Sequence, residues 1–224
     1  MNGGKRAVHF VIKKENSLLV EDLINCYPVL EKCRDAIITT FHIIKETYLK
    51  NGKLLICGNG GSAADAEHIS GELMKGFIKK RPLPESLFQK LMNQSAAENQ
   101  WVNRLQSALP AIPLTVNHVL GTAIANDQGA DLVFAQQVLG IGTENDTLLT
   151  ISTSGNSTNI IQAARVAKVK GMEIAGLTGA DGGILRGFCD VVIQVPARET
   201  YKIQELHLPV YHCLCAMLEE EFFS

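Results

Sequence analysis

Residues 53–68 read KLLICGNGGSAADAEH and place a glycine-rich loop between two regular elements. The apolar run over 53–57 is typical of a short buried strand, and the residues from Gly61 favour a helix that continues to about residue 77. The glycines let the backbone approach a ligand closely, and the helix N-terminus presents free N–H groups and the positive end of its dipole. This stretch therefore predicts a strand, a loop suited to an anion such as phosphate, and a helix.

The rest of the chain repeats this alternation of short apolar strands and helices. We predict strands over 53–57, 111–116, 146–152, 172–177 and 190–195, and helices over 61–77, 156–170, 183–188 and 201–223. Short apolar strands that are joined by helices indicate a parallel sheet covered on both faces. The predicted fold class is therefore α/β, a three-layer sandwich in which helices flank a five-stranded parallel sheet.

Two helical segments stand outside this alternation. Apolar residues at helical spacing over 16–50 predict one long helix or two, broken or kinked near Pro28 and stopped by Asn51-Gly52. The polar stretch at about 84–108 predicts one or two inserted helices before the second strand. Because 224 residues suit one domain, we expect residues 1–224 to form a single domain that carries both segments.

Composition excludes several classes of protein. The chain has 46% hydrophobic and 20% charged residues, and 21 Lys+Arg against 23 Asp+Glu give a formal net charge of −2. A chain so nearly neutral has no basic field for general nucleic-acid binding, and no apolar run approaches the ~20 residues of a membrane helix. We also predict no signal peptide. Six scattered cysteines without a C-x-x-C pair predict reduced thiols, a cytoplasmic location and no zinc–thiolate site.

A second polar loop, STSGNS at 152–157, follows the predicted third strand. Its four hydroxyl side chains, at the N-terminus of a helix, can surround a phosphate monoester. The alternative is a tight turn with Ser154 or Asn156 as the helix N-cap, but one hydroxyl suffices for a cap and four favour a ligand. Both loops follow strands of one parallel sheet, so we expect them to converge at its carboxyl edge.

The first loop also matches the dinucleotide-binding pattern G-x-G-x-x-A at Gly58, Gly60 and Ala63. That pattern needs an acidic residue at the end of the second strand to hold a ribose, and Val116-Asn117-His118 supplies none. No Gly-Lys-Ser/Thr follows the loop. The sequence therefore disfavours a nicotinamide or flavin cofactor and excludes a Walker-type phosphate loop.

Two helices carry candidate metal ligands. His68 and Glu72 are four residues apart on the helix after the first loop and share one face. Gln204 and His212 are eight residues apart on the closing helix, about 80° apart in projection, so both could reach one site for a divalent ion. The alternatives stay open, because a His–Glu pair is common on helix surfaces, a histidine among apolar residues is often a core residue, and an amide is an atypical zinc ligand.

Taken together, these residues resemble the sugar isomerase (SIS) domain family, and within it the bacterial phosphoheptose isomerases. The motifs that carry the resemblance are GNGGSAADAEH at 58–68 with Glu72, AND at 125–127, ISTSGNS at 151–157, LTG at 177–179 with DGG at 181–183, and IQELH at 203–207 with His212. They occur in the family's order from about the first helix to the end of the chain. The resemblance implies the SIS fold, which is flavodoxin- or Rossmann-like.

The resemblance also implies an activity. It implies an aldose–ketose isomerase that converts sedoheptulose 7-phosphate to D-glycero-D-manno-heptose 7-phosphate through an enediol(ate), for heptose-containing surface sugars. It implies Glu72 and His212 as the catalytic acid–base pair, and one Zn²⁺ per active site held by His68, Glu72, Gln204 and His212. The substrate-binding residues it implies are Asn59, Gly60, Gly61, Ser62, Glu72, Asn126, Asp127, Ser152, Thr153, Ser154, Ser157 and Gln204.

The implied partners are a small-molecule sugar phosphate and further copies of the chain. Members of the family are homotetramers whose active sites draw residues from neighbouring subunits, and neither a nucleic acid nor a membrane is implied. This chain departs from the family in its longer 84–108 segment and in Tyr201-Lys202 before Gln204.

Two other functions stay open. One branch of the family has the same loops without isomerisation and binds the bacterial replication initiator protein, and a sugar-phosphate sensor would also have these loops. The stretch Cys213-Leu214-Cys215 resembles the branch that binds the replication initiator. Since that branch lacks the carboxylate and histidine found here as Glu72 and His212, catalysis is favoured.

Overall fold

The computed structural model describes residues 12–94 and 99–223, and a five-stranded parallel sheet forms its centre. The strands are β1 (Leu54–Gly58), β2 (Ala111–Pro113), β3 (Thr147–Ser152), β4 (Glu173–Thr178) and β5 (Val191–Gln194). Their spatial order is β2-β1-β3-β4-β5, and each pair of neighbours is parallel. The predicted sheet is confirmed, and the strand order reverses between β1 and β3, where α/β sheets of this type bind ligands.

The described residues form eight α-helices around this sheet. They are α1 (Lys14–Cys26), α2 (Arg34–Leu49), α3 (Gly61–Met74), α4 (Glu85–Gln94), α5 (His118–Asp127), α6 (Val133–Ile141), α7 (Thr158–Val169) and α8 (Thr200–Phe223). Four short 3-10 helices lie at Pro28–Cys33, Asn99–Arg104, Ala130–Leu132 and Ile184–Gly187. Within the described ranges, no helix is long and apolar enough to cross a membrane.

The helices cover the sheet from both sides and form two apolar cores. Leu54 and Ile56 of β1 pack into the core that contains α1, α2, α3 and α8, whereas Leu55 and Cys57 pack into the core that contains α6 and α7. Successive side chains of a strand point to opposite faces, so one apolar run supplies both cores. The predicted three-layer sandwich is confirmed.

The two helical segments outside the alternation have the following form. α1 ends at Cys26, a 3-10 helix begins at Pro28, and α2 ends before Asn51, whose φ of 57° is left-handed. The 84–108 segment contains α4 and the 3-10 helix Asn99–Arg104, with residues 95–98 outside the described ranges. α4 buries none of its side chains.

Some predicted elements differ from the structure in their bounds, and two helices were not predicted. The strand predicted over 111–116 ends at Pro113, with one further hydrogen bond to β1 from the Leu114 N–H to the Ile56 oxygen at 2.8 Å, and the helix predicted over 183–188 is present as the 3-10 helix Ile184–Gly187. Nothing is predicted over 117–145, where α5 and α6 lie. Asn117 was the available signal, because its side chain caps α5 by accepting a hydrogen bond from the Leu120 N–H at 3.2 Å. α5 buries only Ile124, so it lacks the one-sided apolar pattern that predicts a helix.

A buried ion pair joins the end of α3 to α8. Arg81 and Glu219 are 0% and 1% exposed, and the Arg81 Nε lies 2.7 Å from Glu219 Oε1. The same carboxylate accepts hydrogen bonds from the backbone N–H groups of residues 77, 78 and 79. The Arg81 guanidinium also donates to the backbone oxygens of Glu72 and Leu73 at 2.9 and 2.6 Å. Arg81 therefore holds the last turn of α3, which carries a candidate catalytic residue.

Asp146, before β3, makes the fold sensitive to acid. Its carboxylate is 2% exposed and accepts hydrogen bonds from the backbone and side chains of Lys53 and Thr143 at 2.7–2.9 Å. Burial raises the pKa of this carboxyl, but the four hydrogen bonds outweigh burial and hold the pKa below its ordinary value. A lowered folded-state pKa gives stability that is present above the unfolded-state pKa of about 3.9 and is lost as the pH falls through the folded value.

We expect Asp146→Asn to lower the free energy of unfolding by about 1–3 kcal/mol at neutral pH, because two buried N–H donors lose a charged acceptor. The difference between the wild type and the variant is expected to shrink as the pH falls below about 3.9, because Asp146 then takes up a proton first in the unfolded chain and, at lower pH, in the folded protein. Urea unfolding of both proteins across this pH range checks the expectation. A difference that stays constant down to acid pH would contradict it.

Candidate active site

The two polar loops meet at the carboxyl edge of β1 and β3. These strands are neighbours in the sheet, with Gly58 opposite Ile151. The Asn59 and Asn159 side-chain amides exchange two hydrogen bonds of 2.9 Å each, which join the first loop to α7. The predicted convergence is present, and Asn159 is a contact that sequence reasoning missed, since nothing in its local pattern separates it from an ordinary surface residue of a helix.

The second loop leaves several hydroxyl groups close together at the start of α7. Ser152 Oγ lies 3.2 Å from Ser157 Oγ, and Ser154 Oγ accepts a hydrogen bond from the Asn156 N–H at 3.1 Å. The alternative N-caps, Ser154 and Asn156, are wrong, because Ser157 is the N-cap residue and its side chain makes no capping hydrogen bond. The Ser157 hydroxyl therefore has Ser152 as its partner and is not used to cap the helix, so it has capacity for a second hydrogen bond to a ligand at this helix N-terminus.

The first loop borders an open cleft of about 300 Å³ between β1 and α5. Asn59 and Gly60 line one side, and Asn117, His118 and Thr122 line the other. Ser62, predicted to bind the substrate, is 3% exposed and does not line this cleft. The glycine loop is thus open to a small polar ligand.

Three of the four candidate metal ligands come together where α3 packs against α8. His68 Nε2 lies 3.3 Å from Glu72 Oε1 and 3.4 Å from His212 Nε2. Glu72 Oε2 also accepts a hydrogen bond from Lys75 Nζ at 3.2 Å. The Glu72 carboxylate and the imidazoles of His68 and His212 therefore form one cluster, which we call the His68 corner.

Gln204 lies elsewhere on α8. Its carboxamide packs against Gly61, where an added Cβ would come within 2.5 Å of Gln204 Nε2 and would displace the amide. Gly61 precedes His68 by about two turns of α3. The structure therefore brings Gln204 to the first loop and leaves it apart from the His68 corner. His207, on the same helix, is fully buried, as a core histidine would be.

Burial shifts the proton affinities of this corner. It lowers the pKa of His212, an effect to which His68 adds and which Glu72 opposes. Burial also raises the pKa of the Tyr211 hydroxyl well above its usual range, and the neighbouring Asp65 carboxylate adds to this rise. At neutral pH we therefore expect a neutral His212 ring and a protonated Tyr211.

Two of the donor separations suit a tetrahedral metal ion. Ligands held 2.0–2.1 Å from zinc lie about 3.3–3.4 Å from each other, which is the separation of His68 Nε2 from Glu72 Oε1 and from His212 Nε2. Over the whole described part of the chain, however, no group of three or more His, Cys, Asp or Glu side chains is arranged to hold a metal ion. His68, Glu72 and His212 therefore match zinc in donor chemistry and in these two separations, but as placed here the three side chains do not form a complete metal site.

Asn126 and Asp127 lie at the far end of α5, away from both loops. Asn126 donates a hydrogen bond to the Asp127 carboxylate at 2.8 Å, both residues are exposed, and neither lines the cleft at the first loop. On the same helix Val119 is 82% exposed. Within one copy of the chain, this predicted pair is therefore not brought to the other site residues.

A comparison with known protein families identifies the class of protein to which this chain belongs. The profile of the SIS domain family matches residues 25–108 and 99–179, which together span more than half of the chain. The sheet order and the two loops at the switch between β1 and β3 therefore belong to a SIS domain.

The similar full-length proteins narrow the class. The chain is 40% identical over 194 residues to a phosphoheptose isomerase of Nitratiruptor sp. (87% of this chain, 90% of that protein) and 36% identical over 200 residues to that of Rhodospirillum rubrum (89% and 93%). The phosphoheptose isomerase structure from Neisseria gonorrhoeae is 31% identical with a TM-score of 0.71, covering 92% of this chain and 98% of that one. The chain belongs to the SIS domain family, in the group of the phosphoheptose isomerases.

Proposed function

We propose that this chain is an aldose–ketose isomerase that converts sedoheptulose 7-phosphate to D-glycero-D-manno-heptose 7-phosphate through an enediol(ate). The observation that carries the proposal is that His68 Nε2 lies within 3.4 Å of both the Glu72 carboxylate and the His212 imidazole, which brings a base and an acid to one place. Two hydroxyl- and glycine-rich loops suited to a phosphate lie at the same edge of the sheet. The similarity to phosphoheptose isomerases over most of the chain supports this choice of substrate.

In this proposal, the residues of the chain divide the proton transfer between them. Aldose–ketose isomerisation moves a proton between C1 and C2, which needs a base near these carbons and an acid for the oxygens. The Glu72 carboxylate accepts the proton from C1 and returns it to C2. His212 donates to the sugar oxygens through its ring N–H. The ring is neutral at neutral pH because burial lowers the pKa of His212 and the neighbouring His68 lowers it further.

The phosphate loops supply binding energy away from the reacting carbons. We assign the phosphate to the hydroxyls of Ser152, Thr153, Ser154 and Ser157, and the sugar to the loop at 59–61 and to Gln204. Contacts with the non-reacting phosphate hold C1 and C2 against Glu72 and His212 and so contribute to the rate of the chemical step.

We also propose one Zn²⁺ per active site, with His68, Glu72, Gln204 and His212 as its ligands. The donor types and the two separations from His68 Nε2 support three of these ligands. Gln204 rests on the resemblance alone, because its amide packs against Gly61. A bound zinc ion would supply Lewis-acid polarisation of the sugar carbonyl.

We further propose a homotetramer with shared active sites, located in the cytoplasm. The exposed α5, which carries Asn126 and Asp127 away from both loops, supports sharing, because a neighbouring copy could receive this pair at its own site. All six cysteines lie in the described ranges as free thiols, which suits a reducing compartment. The partners in this proposal are a sugar phosphate and further copies of the chain, with neither a nucleic acid nor a membrane.

Removal and return of the metal tests this function. We expect the purified protein to turn over sedoheptulose 7-phosphate, to lose turnover after treatment with a chelator and to regain it when zinc is added. Unphosphorylated sedoheptulose serves as the control and is expected to react poorly, because it lacks the group that the loops bind. Folded, zinc-loaded protein without turnover would contradict the proposal and would favour the replication-initiator-binding branch or another sugar phosphate.

A further inference from the structure

A chain of three hydrogen-bonded side chains lies behind the His68 corner. The Tyr211 hydroxyl is 3.3 Å from Asp65 Oδ1 and 3.1 Å from His68 Nδ1. The rings of Tyr211 and His68 also make an edge contact with centroids 5.5 Å apart. Tyr211 is 2% exposed, so it has little access to water as an alternative partner. The proposed function gives no role to Asp65 or Tyr211.

Asp65 determines the direction in which protons are donated along these hydrogen bonds. An ionised carboxylate can only accept hydrogen bonds, and among the described residues Asp65 Oδ2 is buried without a partner. The Tyr211 hydroxyl is therefore the donor on which Asp65 depends, since a buried carboxylate without a donor is strongly unfavourable. With its proton directed to Asp65, the tyrosine oxygen faces His68 Nδ1 as an acceptor, so Nδ1 carries the ring proton.

The opposite arrangement, in which the Tyr211 hydroxyl donates its proton to His68 Nδ1, is less favourable. It would place the ring proton of His68 on Nε2 and would turn the Tyr211 proton away from Asp65. His68 Nε2 lies 3.3 Å from Glu72 Oε1 but makes no hydrogen bond to it in this geometry, and Glu72 already has Lys75 Nζ at 3.2 Å from its other oxygen. Asp65 would then lose its donor, and Glu72 would gain none in return.

We infer that Asp65 and Tyr211 position His68, holding its proton on Nδ1 so that Nε2 faces Glu72 and His212 with a free lone pair. This is the tautomer that binds a metal through Nε2, and outer hydrogen bonds of this kind fix the orientation of a ligating imidazole and strengthen its bond to the metal. The inference deepens the proposed function and rests on it, because the tautomer has a consequence only where His68 is a ligand. Tyr211 is thus a positioning residue.

Tyr211→Phe, compared with Tyr48→Phe, tests the inference. Tyr48 is a matched control, because it is also a helical tyrosine, is 8% exposed and has a buried hydroxyl without a partner among the described residues. The first measurement is ¹⁵N NMR of the histidine rings in metal-free protein at about pH 8, where an ordinary imidazole is neutral. A His68→Gln spectrum assigns the His68 signals. We expect the proton on Nδ1 in the wild type and in Tyr48→Phe, and a shift towards Nε2 in Tyr211→Phe.

The second measurement is zinc affinity by competition with a coloured chelator. Tyr211→Phe is expected to bind zinc about 10–100-fold more weakly, and Tyr48→Phe is expected to match the wild type. An unchanged His68 tautomer and an unchanged zinc affinity in folded Tyr211→Phe would overturn the inference.

The NMR measurement separates this inference from the proposed function. A wild-type protein that keeps the proton on Nδ1 but does not turn over the sugar phosphate contradicts the function and leaves the positioning role in place. If Tyr211→Phe does not fold, Asp65→Asn replaces it, because an asparagine amide can donate to the tyrosine oxygen. We then expect the Nε2-protonated form of His68 to increase, and an unchanged spectrum would overturn the inference.

Discussion

Glu72→Gln is expected to lower the turnover of sedoheptulose 7-phosphate by about 10²–10⁴-fold at saturating zinc, with sugar-phosphate binding largely kept. Glutamine has the shape of glutamate but cannot accept a proton, so the base is lost while the loops that bind the phosphate are untouched. Steady-state kinetics give the loss of kcat, and calorimetric titration with the sugar phosphate shows whether binding is retained. His212→Asn is expected to act in the same direction, because it removes the donor to the sugar oxygens.

Glu67→Gln is the matched control for this experiment. Glu67 lies on the same helix, is exposed and accepts a hydrogen bond from the Thr115 hydroxyl at 2.9 Å, so the same chemical change there is expected to leave turnover unchanged. Isomerase activity that survives both Glu72→Gln and His212→Asn would contradict the assigned roles. An equal loss in Glu67→Gln would show that the effect is not specific to the base.

Arg81→Met is expected to lower the free energy of unfolding by about 3–5 kcal/mol, because it leaves the buried Glu219 carboxylate without its cation. The backbone N–H groups of residues 77–79 would remain on that carboxylate, but they carry no full charge. The carbonyls of Glu72 and Leu73 would also lose their donor at the end of α3. Domains of ordinary stability have about 5–15 kcal/mol in total, so this change removes a large share.

Lys79→Met is the control for the ion pair. Lys79 lies in the same loop and pairs with Glu220 on the same helix, but its side chain is 37% exposed. Exposed pairs contribute about 0–1 kcal/mol, so we expect a small effect there. Urea unfolding measures both variants. Equal losses for Arg81→Met and Lys79→Met would contradict a special role for the buried pair.

The parts of the fold that could be predicted from the sequence are those that a short, continuous stretch of residues determines. The β1–loop–α3 unit follows from an apolar run, glycines and a helical pattern within sixteen residues, 53–68. The serine loop after β3 is local in the same way. The sheet then follows from the repetition of such units, since strands joined by helices pair in parallel.

The contacts that could not be predicted join residues far apart in the chain. Arg81 and Glu219 are 138 positions apart, and Tyr211 lies 143 positions from His68. Before the fold is known, Glu219 is one of several acidic residues near the end of α8, and Tyr211 is one aromatic residue among apolar neighbours. α5 was missed for another reason: it buries only Ile124, so the one-sided burial pattern that marks a helix is absent.

The most direct test of the central claim is an NMR time course of sedoheptulose 7-phosphate with the purified, zinc-loaded protein. The proposed function predicts that signals of D-glycero-D-manno-heptose 7-phosphate grow as those of the ketose decline, and that Glu72→Gln at equal concentration slows this conversion by the factor given above. A wild-type protein that is folded, carries zinc and binds the sugar phosphate, yet leaves the ketose signals unchanged, would contradict the claim.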